Sequence, residues 1–215
     1  MQTAENQGGI FMKNKTTSIR KIAIMGMLTA VSATLMFFEM PLPFMPPFLK
    51  LDISAVPILL AGFLFGPVEG CVIALLKAII HVFSTQTAGV GELADFLITG
   101  SFAITGGLIY RIWHSKKGVA VASVASIVVI TIVGALANWF VLLPFYAEAY
   151  MPYDAIINVC QALNPMITDL RGYILFGVVP FNLIKGTVIA ALTVLLYGRL
   201  AGVLSIKKQP IVQKS

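Results

Sequence analysis

Apolar residues run through this chain in blocks long enough to cross a membrane, and the polar positions between the blocks mark where it turns. After a polar stretch over residues 1–18, the pattern predicts a first helix over 19–40, with Arg20 and Lys21 at its start. That segment is too long for a signal-peptide core and lacks a small-residue cleavage site, so it reads as a retained span. Residues 41–52, PLPFMPPFLKLD, interrupt the pattern. Their closely spaced prolines forbid a regular helix, yet Phe44, Met45, Phe48 and Leu49 are too apolar for a solvated loop. The segment is expected to fold back over the bundle as a lid. A short second helix over 53–65 carries Pro57, Gly66-Pro67 turns the chain, and a third helix over 68–83 carries Lys77 and His81. A loop without basic residues leads to helix four over 92–111, and residues 114–118 return the chain to helix five over 119–145. Residues 146–171 read as a long polar loop, with a partial surface helix over 166–178. Pro180 is acceptable in a first helical turn and is expected to open helix six over 180–200.

Composition agrees with a membrane protein. The chain is 58% hydrophobic and only 11% charged, with a mean hydropathy of +0.92, whereas soluble domains are roughly 25% charged. The expected architecture is all-α: a six-transmembrane-helix bundle over 19–204, a cytoplasmic N-terminal tail over 1–18 and a basic cytoplasmic tail over 205–215. The net charge of +6 is spread along the loops, not gathered into a patch, so it is read as a topology signal and no nucleic-acid partner is expected. Putting the N-terminus inside leaves only Lys50 and Arg171 outside. Lys13, Lys15, Arg20, Lys21, Arg111, Lys116, Lys117, Arg199, Lys207, Lys208 and Lys214 then face the cytoplasm. Both termini are cytoplasmic on this reading, and the proline-rich lid is extracellular. Cys71 and Cys160 lack metal-ligand spacing and read as small apolar fillers, and no metal site is expected.

Several polar residues then fall at one depth inside the spans. Asn182 and Lys185, three residues apart, share one face of helix six. A lysine at mid-bilayer costs roughly 2.5–3.5 kcal/mol, so it either snorkels to headgroups or belongs to a binding face. Asn138 lies about two turns below the outer end of helix five, while Glu92 and Asp95 lie at the outer start of helix four. Together they describe a pocket open to the exterior. Asparagine offers donor and acceptor and lysine offers three donors, a set that suits a planar heterocycle edge or a polyol chain. Phe44, Phe48, Trp139, Phe140 and Phe181 are placed to cover a flat ring, or else face lipid as belt residues.

The chain contains no G-x-x-x-x-G-K-[ST], H-E-x-x-H or G-x-S-x-G motif, so neither ATP hydrolysis nor another enzymatic activity is expected. A carrier driven by an ion gradient, with Glu92, Asp95 and His81 as coupling residues, is the rival reading.

The segment PLPFMPPFLKLD with Ser54-Ala-Val-Pro57, the Leu76-Lys77 pair with His81, Asn138-Trp-Phe-Val-Leu-Leu-Pro144 and Pro180-Phe-Asn-Leu-Ile-Lys-Gly186 resemble the riboflavin-specific S component of energy-coupling factor (ECF) transporters. The resemblance covers nearly all of residues 19–200. It implies a six-helix subunit of the bacterial cell membrane that captures riboflavin at the outer face. That subunit works with a membrane-embedded T component and two cytoplasmic ATPases. Riboflavin, or its phosphate FMN, would be the transported substrate and not a cofactor; S components for thiamine or biotin share the architecture. The resemblance further implies that Asn138, Asn182 and Lys185 contact the ligand and that Phe44 and Leu51 of the lid pack on it; Glu92, from its place at the outer end of helix four, is expected among the substrate-binding residues too. The family's A-x-x-x-A docking pattern for the T component corresponds here to Gly26-Met-Leu-Thr-Ala30, which keeps the small-xxx-small spacing.

Overall fold

A computed structural model describes residues 2–204 apart from positions 47, 86 and 151, and side chains from 19 to 200 other than 116. The expected basic tail over 205–215 lies outside the described residues. Helix α1 (Gln2–Met36) begins ahead of the expected start at 19 and stops short of 40. A two-stranded antiparallel ribbon follows, β1 (Met40–Pro41) and β2 (Lys50–Leu51), with Met40 opposite Leu51. The prolines between the strands exclude helix, and an ion pair between Lys50 and Glu39 closes the ribbon's base. Helices α2 (Ala55–Leu64), α3 (Pro67–Val82) and α4 (Val90–Ile112) come next.

Helix α5 (Lys116–Ala137) continues through a π-helical segment, Asn138–Leu142, into α6 (Leu143–Ala149). The region expected to be loop contains α7 (Tyr153–Leu163), an amphipathic helix whose Ile156 and Cys160 are buried. Burial pushes the Cys160 thiol up to about 11, as suits an apolar filler. The last long helix starts as α8 (Leu170–Tyr173), passes through a second π-helical segment, Ile174–Val178, and ends as α9 (Val179–Leu204). Pro180 therefore does not open helix six, because the chain is already helical from Leu170. The expected surface helix over 166–178 is also revised, since Ile167 and Tyr173 are each 1% exposed.

Among the described residues, four stretches are long and apolar enough to cross a membrane: Ile19–Met36, Val90–Ile112, Lys117–Ala149 and Leu170–Leu200. Helices α2 and α3 are shorter and pack among them. Small residues allow that packing. A Cβ on Gly70 would come within 2.8 Å of the Ala103 Cβ and 3.1 Å of the Ile58 carbonyl oxygen, so α2, α3 and α4 approach closely only because this position is bare.

The basic end of the bundle, where Arg20, Lys21, Arg111 and Arg199 lie, has an apolar interior of Phe63, Phe102, Val119, Ile130 and Ile189. A hydroxyl–hydroxyl bond between Tyr110 and Tyr197 sits beside Phe63, and Lys21 ties α1 to Glu69 at the start of α3. The opposite end is covered by the proline-rich segment. Its Leu49, 6% exposed, packs with Leu143, Ile156, Ile167, Tyr173, Val178 and Phe181.

Candidate functional site: two π-turns and a buried charge array

Each π-helical segment ends two residues ahead of a proline, Pro144 in one case and Pro180 in the other. Proline has no N–H for the carbonyl four residues back, and its ring crowds that carbonyl. A wider turn relieves the crowding: the Leu143 N–H donates to the Asn138 carbonyl and the Val179 N–H to that of Ile174. Such single-turn bulges are frequent at functional sites because they re-aim side chains.

Here they position both predicted asparagines. Asn138, the first residue of one π-segment, donates from Nδ2 to the Gly134 carbonyl at 2.8 Å and accepts at Oδ1 from the Tyr173 hydroxyl at 2.9 Å. Asn182, one turn past the other, donates to the Val178 carbonyl at 2.9 Å. The two helices meet here because Gly134 has no side chain: a Cβ there would lie 2.7 Å from the Asn182 Nδ2.

Lys185, one turn further along α9, is 9% exposed and does not snorkel. Its Nζ pairs with Asp52 Oδ2 at 2.6 Å. The other Asp52 oxygen accepts from the Ser54 N–H at 2.8 Å and from the Ser54 hydroxyl. That hydroxyl in turn accepts from Lys77 Nζ at 3.1 Å, and Lys77 forms an ion pair with Asp95 Oδ2 at 2.5 Å. Ser32 of α1 also reaches this hub, donating to the Ser54 carbonyl at 2.6 Å. Lys77 and Ser54 are 0% exposed. Burial alone would raise the Asp52 pKa, but the Lys185 ammonium, and behind it Lys77, outweigh burial and hold this carboxyl below the usual carboxylate range.

The structure thus brings Asn138, Asn182 and Lys185 together beneath the proline-rich segment. Leu51, partly buried, packs against the neighbouring apolar cluster of Leu49, Tyr173 and Phe181. Phe48 stacks at 5.8 Å from Tyr173 and 6.1 Å from Tyr146, and Phe181 is buried. Phe44 stands apart, 83% exposed at a φ of +71°, and Phe140 is 69% exposed. Glu92 forms a cluster of its own. Its carboxylate takes His81 Nδ1 at 3.0 Å and the hydroxyls of Thr85 and Thr87 at 2.8 and 3.2 Å, pinning the loop between α3 and α4. His81, also stacked on Phe37, is a satisfied polar residue. On α1, Gly26 and Ala30 share an exposed face, and a Cβ at Gly26 would meet nothing within 4 Å. An apolar groove of about 380 Å³ between α1, α2 and α9, lined by Val31, Leu35, Val56 and Leu192 among others, does not reach the polar cluster.

The profile of the ECF transporter substrate-specific component matches residues 20–197. This chain belongs to that family. Among similar proteins, the riboflavin transporter RibU of Staphylococcus aureus (strain TCH60) is 39% identical over 185 residues, covering 86% of this chain and 92% of that protein. The riboflavin transporter FmnP of Bacillus subtilis (strain 168) is 27% identical, covering 85% and 92%. A solved structure of the S component of a bacterial ECF transporter superposes with a TM-score of 0.64 at 36% identity, covering 87% of this chain and 98% of the other. The substrate-specific component described here is a multi-pass membrane protein.

Four members of its polar cluster carry no role in the sequence reading. Asp52, Ser54 and Lys77 lie in stretches that carry the family resemblance but have no ligand role there, and Tyr173 falls in a stretch expected at the surface. One signal was available. Two lysines inside spans each require a buried counter-charge, and Asp52 and Asp95 are carboxylates near the same end.

Proposed function

We propose that this chain captures riboflavin at the outer face of a bacterial membrane and passes it on through an ATP-driven ECF complex. The observation that carries the reading is the convergence of Asn138, Asn182 and Lys185 under the proline-rich segment, in a member of a family whose similar proteins are riboflavin transporters. The amides and the ammonium supply the alternating donors and acceptors that a flavin edge needs. Tyr173, Phe48, Trp139 and Phe181 supply flat apolar surface beside them. The amides bond to backbone carbonyls and to the Tyr173 hydroxyl, and Lys185 to Asp52, so ligand binding is an exchange of partners. FMN is the alternative flavin substrate.

The topology that fits this role has six helical passes, α2 and α3 making the short ones, with both termini cytoplasmic and the proline-rich segment outside as a lid. Gly26 and Ala30 offer a flat face to the T component, and two ATPase subunits power transport. Because Phe63, Phe102, Ile130 and Ile189 fill the inner half, the ligand leaves by tilting of the whole domain, not by passage through it.

The test is flavin absorbance in protein purified without added ligand, followed by titration. Asn182→Ala removes a buried donor and acceptor, costing roughly 1–3 kcal/mol, or about 5- to 150-fold in affinity. Gly26→Leu leaves titration unchanged and abolishes uptake in cells carrying the complex. Wild-type protein that binds no flavin, or Gly26→Leu protein that loses binding, overturns the reading.

A further inference from the structure

The family reading leaves one buried group without work: Lys77, 0% exposed and remote in sequence from the lid and from α9. Its ion pair with Asp95 already gives each partner an opposite charge, although the buried Asp95 Oδ2 accepts no hydrogen bond. Lys77 nevertheless also donates to Ser54 Oγ at 3.1 Å, and the hydroxyl proton of Ser54 is committed to Asp52. The donors therefore run in one direction, from Lys77 through Ser54 to Asp52 Oδ1, while Lys185 holds Oδ2. Aligned hydrogen bonds of this kind polarise one another, more so in a low-dielectric interior. The four charged groups of the array, Lys77, Lys185, Asp52 and Asp95, sum to zero.

That arrangement matters when Lys185 is drawn toward a ligand, a step that rests on the function proposed above. Asp52 would then lose its direct cation while still buried, and a buried carboxylate without compensation is strongly unfavourable. With a single cation nearby, Asp52 would compete with the ligand for Lys185. A second cation, already joined to the carboxylate through Ser54, lowers the cost of the exchange.

We infer that Lys77 is a positioning residue for ligand capture: it is the standing counter-charge that, through Ser54, keeps Asp52 satisfied while Lys185 transfers its hydrogen bond from Asp52 to the ligand. Lys77 does not touch the ligand. Asp52 is the exchange partner of Lys185.

The experiment is riboflavin titration of the purified full chain and five variants, with thermal melting as a check of folding. Lys77→Met leaves Lys185 shared by two carboxylates, and affinity falls by about tenfold or more. Adding Asp52→Asn removes the competitor, and affinity returns to within about threefold of wild type. Adding Asp95→Asn instead removes the orphaned partner of Lys77 but leaves Asp52 without its counter-charge, and affinity stays low. This last pair separates the two roles. If Lys77 merely satisfies Asp95, the Lys77→Met/Asp95→Asn protein recovers binding, and that recovery overturns the inference. Should Lys77→Met not fold, Ser54→Ala cuts the relay with every charge in place. It is expected to weaken binding about fivefold, and unchanged affinity overturns the inference. Wild-type protein that binds no riboflavin removes the underlying functional reading and the inference with it. Binding by wild type that Lys185→Met leaves intact removes the inference and the Lys185 contact, while riboflavin capture itself stands.

Discussion

At the basic end of the bundle, α2, α4, α5 and α9 meet through Phe63, Phe102, Ile130 and Ile189. At the other end, Asn138 after α5 bonds to Tyr173 of α8, Asn182 of α9 packs on Gly134 of α5, and Lys185 pairs with Asp52. The first kind of contact is non-directional, so it stabilises in proportion to area and tolerates small adjustments. The second is directional and leaves a large penalty if one partner goes missing. A binding site has to be of the second kind, because a ligand enters by offering its own groups in place of an internal partner. The backbone follows the same division. Both π-segments lie toward the polar end, while the basic end is regular helix.

This contrast can be broken most forcefully at Lys185. Lys185→Ala leaves Asp52 buried without its direct cation, and breaking such a pair costs ~3–5 kcal/mol. A value near the low end is expected, since Lys77 stands behind Ser54. Thermal melting in detergent measures the loss, and adding Asp52→Asn should restore most of it. A Lys185→Ala protein as stable as wild type would mean that the ion pair is not formed in the membrane.

The apolar end answers differently. Gly70→Leu forces a side chain against Ala103 and the Ile58 carbonyl, where even a Cβ is too close, and overpacking of this kind typically costs about 1–3 kcal/mol. The melting temperature falls, while the folded fraction titrates riboflavin with unchanged affinity. A change in affinity comparable to that of Asn182→Ala would show that the two ends are coupled, contrary to the division drawn above.

The smallest effect sharpens the comparison within the polar end. Tyr173→Phe removes the donor to Asn138 Oδ1 and nothing else. The loss is about 1 kcal/mol, or on the order of fivefold in affinity, because the amide is left held by the Gly134 carbonyl alone. An unchanged dissociation constant would assign the orientation of Asn138 to that carbonyl.

What the amino-acid order determined by itself is what depends on near neighbours. Hydropathy over successive residues marks the spans, the basic residues at 20, 21, 111 and 199 gather at one end, and three-residue spacing puts Asn182 and Lys185 on one helical face. The proline-rich break after α1 is likewise local, since proline acts on its own turn. Tertiary structure decided the partners. Asp52 and Lys185 are 133 positions apart, Asn138 and Tyr173 are 35 apart, and nothing in either neighbourhood names the other. It also decided that helix continues through Pro180. A proline after an apolar run reads as a start when only its missing N–H is considered. Here Ile167, Tyr173 and Val178 bury against the end of the bundle, and the preceding turn is held helical by that packing, with the π-segment as the geometry that admits both. A buried charge states that a counter-charge must exist, because an isolated ion in an apolar interior is so unfavourable; which residue supplies it depends on how the helices cross.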